Sequence, residues 1–429
     1  MSQTDVLVIT ALPEEFDAAT KVAGGDPGWR EPTPGGDPLP PYVTGQIGTS
    51  DGGHLIVALA RPTRMSGRHT GPVTTALAQS LRPSCLAMCG VCAGNPDETA
   101  PGDVAVAALT YQHDEGKQRG AEFQGDFQQF PLEERWLRAV QDYDPTHLPS
   151  YGPATEKEAT TWFLERVLLH EDPRTHPARR RYFPRGTWAP RLERMEAAGL
   201  ISRELGGEVA LTGDGKTRIE RIRYDDIDGP ERLPFAVLAG PMASGNAVIQ
   251  DPGIWDRLRR MGARRLMALE MEGATVATVA HQQRVPHWLV AKGVMDRAEL
   301  DRDDRFREFA ARASAEVLFD LLGRLLPARG SQPREATPAG GVPAPIPGTV
   351  KVDIVRRLAY DWRDLADLVG VPSFEVRRFD AGDEPRAVWQ WLEARGRLGD
   401  LGPALVQLGR DDLAAQLRPY TTWTGTPQP

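Results

Sequence analysis

Cysteine is scarce: three residues in 429, all inside the stretch "SCLAMCGVCAG" at 84–94. Three thiols build no disulfide framework, and reduced cysteines fit a cytoplasmic protein. Long apolar runs are missing as well. None approaches the roughly 20 residues that a membrane helix needs. The early run from Val6 to Leu12 is pinned between Asp5 and Glu14, so it reads as neither a signal peptide nor an anchor. Nor is positive charge in excess. With 51 Lys and Arg against 59 Asp and Glu, the net charge is −8, which argues against sequence-independent nucleic-acid binding by the chain as a whole.

What is present is ample for a core. Forty per cent of the residues are apolar, and the length implies two or three domains. Residues 5–125 alternate short apolar runs ("DVLVITALPEEF", "HLIVALA", "SCLAMCG", "GDVAVAALTY") with Gly-rich turns, and 70–81 reads as a helix. The pattern resumes at 233–325 with "LPFAVLAGPMASG", "RRLMALEMEGATVATVAHQQ", "HWLVAKGVMD" and a long helix. Strands without clean alternation, interleaved with helices, predict an α/β fold whose central sheet is covered on both faces. The expected catalytic domain therefore comprises 1–130 and 231–327.

Residues 131–230 break this rhythm. They are rich in Arg, Glu and Pro and mostly helical, and the part from Thr187 onward runs helix, Gly199, strand, Gly-Gly turn, strand, helix, the pattern of a winged helix-turn-helix. Eight Arg against two Glu in 174–203 open a nucleic-acid reading. An insertion that packs on or caps the core is the reading preferred here over nucleic-acid binding. Residues 328–349 form a Pro/Gly/Ala linker unable to build a core. Residues 350–420 carry apolar residues at helical spacing between Gly and Pro breaks, an all-α interaction module.

Four clusters can carry chemistry: Glu14 and Glu15 after the first strand, the glycine turn Gly90–Gly94, Glu270 and Glu272 between a strand and a helix, and Asp296 at the end of a later strand. All sit at carboxyl ends of strands, where open α/β sheets collect ligands. Each acid alone could equally be capping a helix. The cysteines offer a competing idea, because C-x3-C-x2-C is the spacing of a radical-SAM iron–sulfur cluster. Against it, "CLAMC" reads as a strand, and cluster cysteines belong on a loop. No metal or cofactor is expected.

The motifs "VLVITALPEEFDA", "CGVCAGNPDETAPGDVAVA", "GPMASGNAVIQD" and "ALEMEGATVATVAHQQRVPHWLVAKGVMD" resemble the nucleoside phosphorylase and methylthioadenosine/S-adenosylhomocysteine nucleosidase superfamily over about 1–125 and 233–325. That resemblance implies cleavage of an N-glycosidic bond to a purine. It makes Asp296 the acid that protonates purine N7, which requires a proton held at neutral pH through burial. It makes Glu272 the acceptor of the ribose 2′- and 3′-hydroxyls, packs Met271 against the sugar, and makes Glu15 the base for an attacking water, with Glu14 as its backup or a helix-start carboxylate. Gly90, Val91, Cys92, Asn246 and Val248 fall on substrate-binding positions. Val91 and Cys92 stand where the family has a hydroxyl, and Val248 where it often has a stacking Phe. Tyr111, or a place near His113, is the alternative for the base.

Arg61, Arg64 and Arg68 are candidates to hold inorganic phosphate or the phosphates of a nucleotide, unless they are simply solvated. The retained Glu15 favours water over phosphate as nucleophile. The helical tail resembles the effector-associated, death-like adaptors of bacterial conflict systems. Together these imply a purine nucleoside or nucleotide N-glycosidase, with ATP the obvious target, acting in anti-phage defence. They also imply a protein partner bearing a like domain, and a homo-oligomer. The alternatives are a phosphorylase and a non-catalytic nucleotide sensor.

Overall fold

In the computed structural model, residues 4–24, 28–31, 39–120, 122–203, 208–262, 265–300, 304–328, 348–358, 361–376, 379, 382–393, 395 and 397–417 are described. The chain divides into two units, Met1–Pro333 and Arg334–Pro429. The linker expected at 328–349 falls outside the described residues except for Ala328, Gly348 and Thr349.

The first unit starts with β1 (Val6–Ile9), whose four residues are all buried. Alternate side chains point to opposite faces of a strand. Val6 and Val8 accordingly enter one core and Leu7 and Ile9 a second on the other face. There follow α1 (Pro13–Val22), β2 (Tyr42–Gly48), β3 (His54–Ala60), α2 (Gly67–Leu81), β4 (Cys85–Gly94) and β5 (Val104–Gln112). Next come a hairpin of β6 (Gly116–Arg119) and β7 (Glu122–Gly125), and the short β8 (Phe130–Pro131). After residue 230 come β11 (Val237–Ser244), α8 (Ile254–Arg260), β12 (Ala268–Glu270), α9 (Gly273–Gln282), β13 (His287–Asp296) and α10 (Arg307–Leu325).

Nine strands form one mixed sheet, ordered β12-β11-β5-β13-β4-β1-β3-β2 with β8 beside β5. β12 also pairs antiparallel with β4, so β12, β11, β5, β13 and β4 close on themselves. β13 lies between β4, parallel to it, and β5, antiparallel. Helix α10 packs on one face, and α2 and α9 supply side chains to the core of the other. Gly293 in β13 lets α10 come close, since a Cβ there would meet the Ala310 carbonyl oxygen at 2.1 Å.

Between β8 and β11 run α3 (Glu134–Gln141), α4 (Glu156–Leu168), α5 (Arg179–Tyr182), α6 (Trp188–Ala197), the antiparallel pair β9 (Ile201–Arg203) and β10 (Val209–Leu211), and α7 (Gly213–Asp225). The helix–strand–strand–helix order is that of the winged pattern; the Gly206–Gly207 turn lies outside the described residues. Trp162, Phe163 and Phe183 of this segment share a core with β1, β4 and α10. Polar ties reinforce it: Arg181 bonds Asp103 through both its terminal nitrogens, Tyr143 donates to Asp320 at 2.6 Å, and Ser150 donates to Glu316 through N and Oγ. Five of the eight arginines in 174–203 (174, 181, 191, 194 and 203) are spent in ion pairs, so these five are not a free basic stripe.

The second unit has α11 (Gly348–Arg357), α12 (Trp362–Leu368), α13 (Ser373–Val376), α14 (Glu384–Glu393), α15 (Leu401–Gln407) and α16 (Asp411–Leu417). Ile354, Leu365, Val388, Leu392, Leu405 and Leu413 are at most 1% exposed and meet in a core of their own.

Candidate active site

The ends of β1, β4, β5, β11, β12 and β13 deliver Glu15, Val91 and Cys92, His113, Val248, Glu270–Glu272 and Asp296 to one cleft, a cavity of about 130 Å³ that opens to solvent.

Glu15 stands in the first turn of α1 and is buried. Its Oε2 accepts from the backbone N–H of Ala11 (2.7 Å) and Leu12 (3.0 Å), and its Oε1 from Val91 N–H (2.8 Å). A carboxylate offers about four acceptor positions, so about one remains for a water. Gly90 is required beside it: its φ is +153°, and a Cβ would sit 2.3 Å from Glu15 Oε1.

Glu270 and Glu272 divide the work at the start of α9. Glu270 Oε2 accepts from the backbone N–H of Glu272 and Gly273, both at 2.8 Å, while its Oε1 takes the Ser244 hydroxyl. It is consumed in holding the turn. Glu272 Oε1 accepts from Ser66 N–H at 2.6 Å. Lys292 Nζ lies 3.6 Å from an oxygen of each carboxylate. Burial pushes the Glu272 carboxyl up to about 7 even though Lys292 opposes the shift. Burial also works against charge on Lys292, but Glu15, Glu270 and Glu272 outweigh it and raise that group above its ordinary value. Met271 lines the cleft, and its carbonyl accepts Gly67 N–H at 3.0 Å.

Asp296 is half-buried and ends β13 just past a register shift. Its Oδ1 accepts from Ala298 N–H at 3.0 Å, with Ala298 at φ 61°. Between them, Arg297 turns inward: its guanidinium bonds Glu171 and lies 3.2 Å from His176 Nε2, and its carbonyl accepts Trp255 Nε1–H at 3.0 Å. Burial, then the neighbouring Arg166, brings Arg297 down to about 10, and burial brings His176 down to about 3.

The structure thus brings Glu15, Val91, Cys92, Val248, Met271, Glu272 and Asp296 to one cleft, with Gly90 directly behind Glu15. Three expectations are corrected, those for Tyr111, for Asn246 and for the arginines. Tyr111 is 3% exposed, packs against Phe127 at 5.1 Å and is not among the cleft's lining residues, because its position in β5 points it into a small core with Trp255 and Leu269. His113 does line the cleft, with its imidazole pKa lowered by burial. Asn246 is exposed and its N–H groups serve Asp114. Arg61, Arg64 and Arg68 do not line the cleft; their turn contributes backbone instead, through Ser66 and Gly67. Sequence reasoning passed over Lys292, Ser66 and Arg307. A lysine inside an apolar strand was the available signal for the first.

The cysteines alternate with the strand. Cys85 and Cys89 enter one core and Cys92 the other, so the three sulfurs cannot converge on one cluster. Burial raises all three thiols, Cys89 to about 12.

Residues 348–419 match the family model for Bacterial Death-like domain 3. The tail therefore carries the death-like similarity read from its sequence. Over 320 residues, the chain is 23% identical to the ATP nucleosidase Cap17 of Escherichia coli (strain KTE188), covering 74% of this chain and 50% of that protein. The chain spans about half the length of the curated relatives it matches. Among solved structures, the 5′-methylthioadenosine/S-adenosylhomocysteine nucleosidase of S. pneumoniae is 17% identical, with TM-score 0.45, covering 75% of this chain and all of that one. Futalosine hydrolase of Helicobacter pylori strain 26695 is also 17% identical, with TM-score 0.41, covering 74% and 97%.

Proposed function

We propose that the first unit is a hydrolytic purine N-glycosidase acting on an adenine nucleotide, ATP foremost, and that the death-like unit links it to a protein partner. The observation that carries this reading is the meeting of Glu15, Glu272 and Asp296 at one cleft from beyond or at the ends of three different strands. Ligand binding alone needs neither an acid nor a base. The likeness to a protein named an ATP nucleosidase supports the choice of substrate.

In the proposed reaction the C1′–N9 bond breaks with its electron pair passing to the base. Asp296 delivers a proton to N7 of the departing adenine. Glu272, ionised, accepts hydrogen bonds from the 2′- and 3′-hydroxyls and stabilises the cationic sugar. Water held at the remaining acceptor position of Glu15 bonds to C1′ and gives its proton to that carboxylate. One water is consumed, and adenine and ribose 5-triphosphate leave. A role in anti-phage defence, a homo-oligomer and a cytoplasmic setting belong to the same reading. Among the described residues, no helix is long and apolar enough to cross a membrane.

The test is chromatography of free adenine after incubation with ATP, AMP, adenosine or methylthioadenosine, with and without inorganic phosphate. Release from ATP without phosphate, lost by at least about 100-fold in Asp296→Asn (general acid catalysis contributes about 100–10,000-fold), is expected. Release that needs phosphate makes the enzyme a phosphorylase. Silence with all four substrates, partner included, sinks the enzyme reading.

A further inference from the structure

We infer that Arg307 is a specificity residue of this cleft, binding the phosphate chain of a 5′-nucleotide and so setting ATP above adenosine. The inference rests on the proposed nucleotide substrate. Four carboxyl groups line the cleft, Glu15, Glu270, Glu272 and Asp296, and the proposed reaction keeps a proton only on Asp296. Lys292 offsets two of them but is itself 1% exposed and is not a lining residue. A polyphosphate entering such a cleft meets repulsion unless a cation faces it. Among the described lining residues, Arg307 is the one permanent cation.

The state of that guanidinium fits the task. Arg307 opens α10, and its side chain is 29% exposed. Its one ion pair, among the described residues, is to Glu14 at 3.4 Å, and its Nε is buried without a hydrogen-bond partner. A guanidinium carries five N–H donors and suits bidentate capture of phosphate oxygens. Here most of those donors are uncommitted. The position fits as well. Glu14 adjoins Glu15 in α1, so Arg307 enters the cleft alongside α1, whereas His113 and Val248 come from the ends of β5 and β11. A base placed near His113, Val248 and Asp296, with its ribose on Glu272, leaves the side of Leu12 and Arg307 for the 5′ substituent. A neutral nucleoside would draw no benefit from a guanidinium at that edge.

Two measurements on the full-length chain test this. In the first, kcat/KM for ATP and for adenosine is compared in wild type, Arg307→Met and Arg307→Lys. A hydrogen bond to a charged group contributes about 1.5–3 kcal/mol, or about 10–100-fold at 1.4 kcal/mol per tenfold. Arg307→Met should lose that much on ATP and change adenosine by less than about threefold, and Arg307→Lys should recover part of the loss. Equal losses on both substrates, or none on ATP, overturn the inference. In the second, calorimetry measures ATP binding to Asp296→Asn with and without Arg307→Met. Weakening by about 10–100-fold supports the phosphate contact even if no variant releases adenine, an outcome that removes the hydrolase reading and keeps the contact. No ATP binding by the Asp296→Asn protein, or binding indifferent to Arg307→Met, overturns the contact itself.

Discussion

Lys292 places an ammonium between two buried carboxylates, yet at Glu272 burial outweighs it and favours the protonated form. Its carboxyl sits at about 7 against an ordinary 4.5. Because the folded group binds its proton more tightly than the unfolded one, the associated stability is full below about pH 4.5 and is lost as the pH rises through about 7. In the proposed reaction the dependence runs the other way. Only the ionised carboxylate can accept from both ribose hydroxyls, so kcat/KM on a substrate with no group titrating nearby should fall about tenfold per unit as the pH drops below about 7. A profile flat down to pH 5 would remove Glu272 from that role. Lys292 explains what the sequence did and did not reveal at this scale. The acids were legible because they follow strands, where ligands collect. Their partner was hidden because it lies within an apolar strand, distinguished only by being a charge where both faces are covered.

At the scale of elements, the Asp296–Arg297–Ala298 turn is held from outside the sheet. Glu171, from the segment after α4, bonds the guanidinium of Arg297, which is 4% exposed, and its other oxygen lies 3.2 Å from Arg166. Removing one partner of a buried ion pair costs about 3–5 kcal/mol. Glu171 is itself 25% exposed, so Glu171→Ala should cost about 3 kcal/mol, the lower end of that range, read as a lower urea midpoint together with slower adenine release. An unchanged midpoint would mean that solvent replaces the carboxylate freely. This brace was not legible in advance. Strands such as β1 and β4 announced themselves as continuous apolar runs, and α10 by its length and periodicity. By contrast, β2 is mostly half-exposed and contains Gly45, and the ties of 131–230 to the rest of the first unit depend on distant pairings, such as Arg181 with Asp103 and Tyr143 with Asp320, 78 and 177 residues apart. The arginines of 174–203 illustrate the limit: composition counts charges and cannot see that Arg181 is already bound to Asp103.

At the scale of the molecule, the two units have separate cores. The tail buries Trp389, Leu392, Leu405 and Leu413 among its own helices, which is what a module needs to fold alone. Residues 334–429 expressed by themselves should give a helical circular dichroism spectrum and a cooperative melt. A featureless spectrum would show that the tail depends on the rest of the chain.

The position of β13 has a further consequence, one of timing. This strand fills the middle of the sheet, between β4 and β5, yet it is made long after both. At roughly 5–20 residues per second of synthesis, the wait between β5 and β13 is on the order of ten seconds or more. Until then the neighbours of β13 have a gap between them, and Glu15 and Glu272 have neither Lys292 nor Asp296. A chain interrupted by premature termination or proteolysis anywhere before that point carries no complete site. The order of strands therefore has a chemical consequence: unfinished copies lack both Lys292 and Asp296 and, under the proposed reaction, are inert.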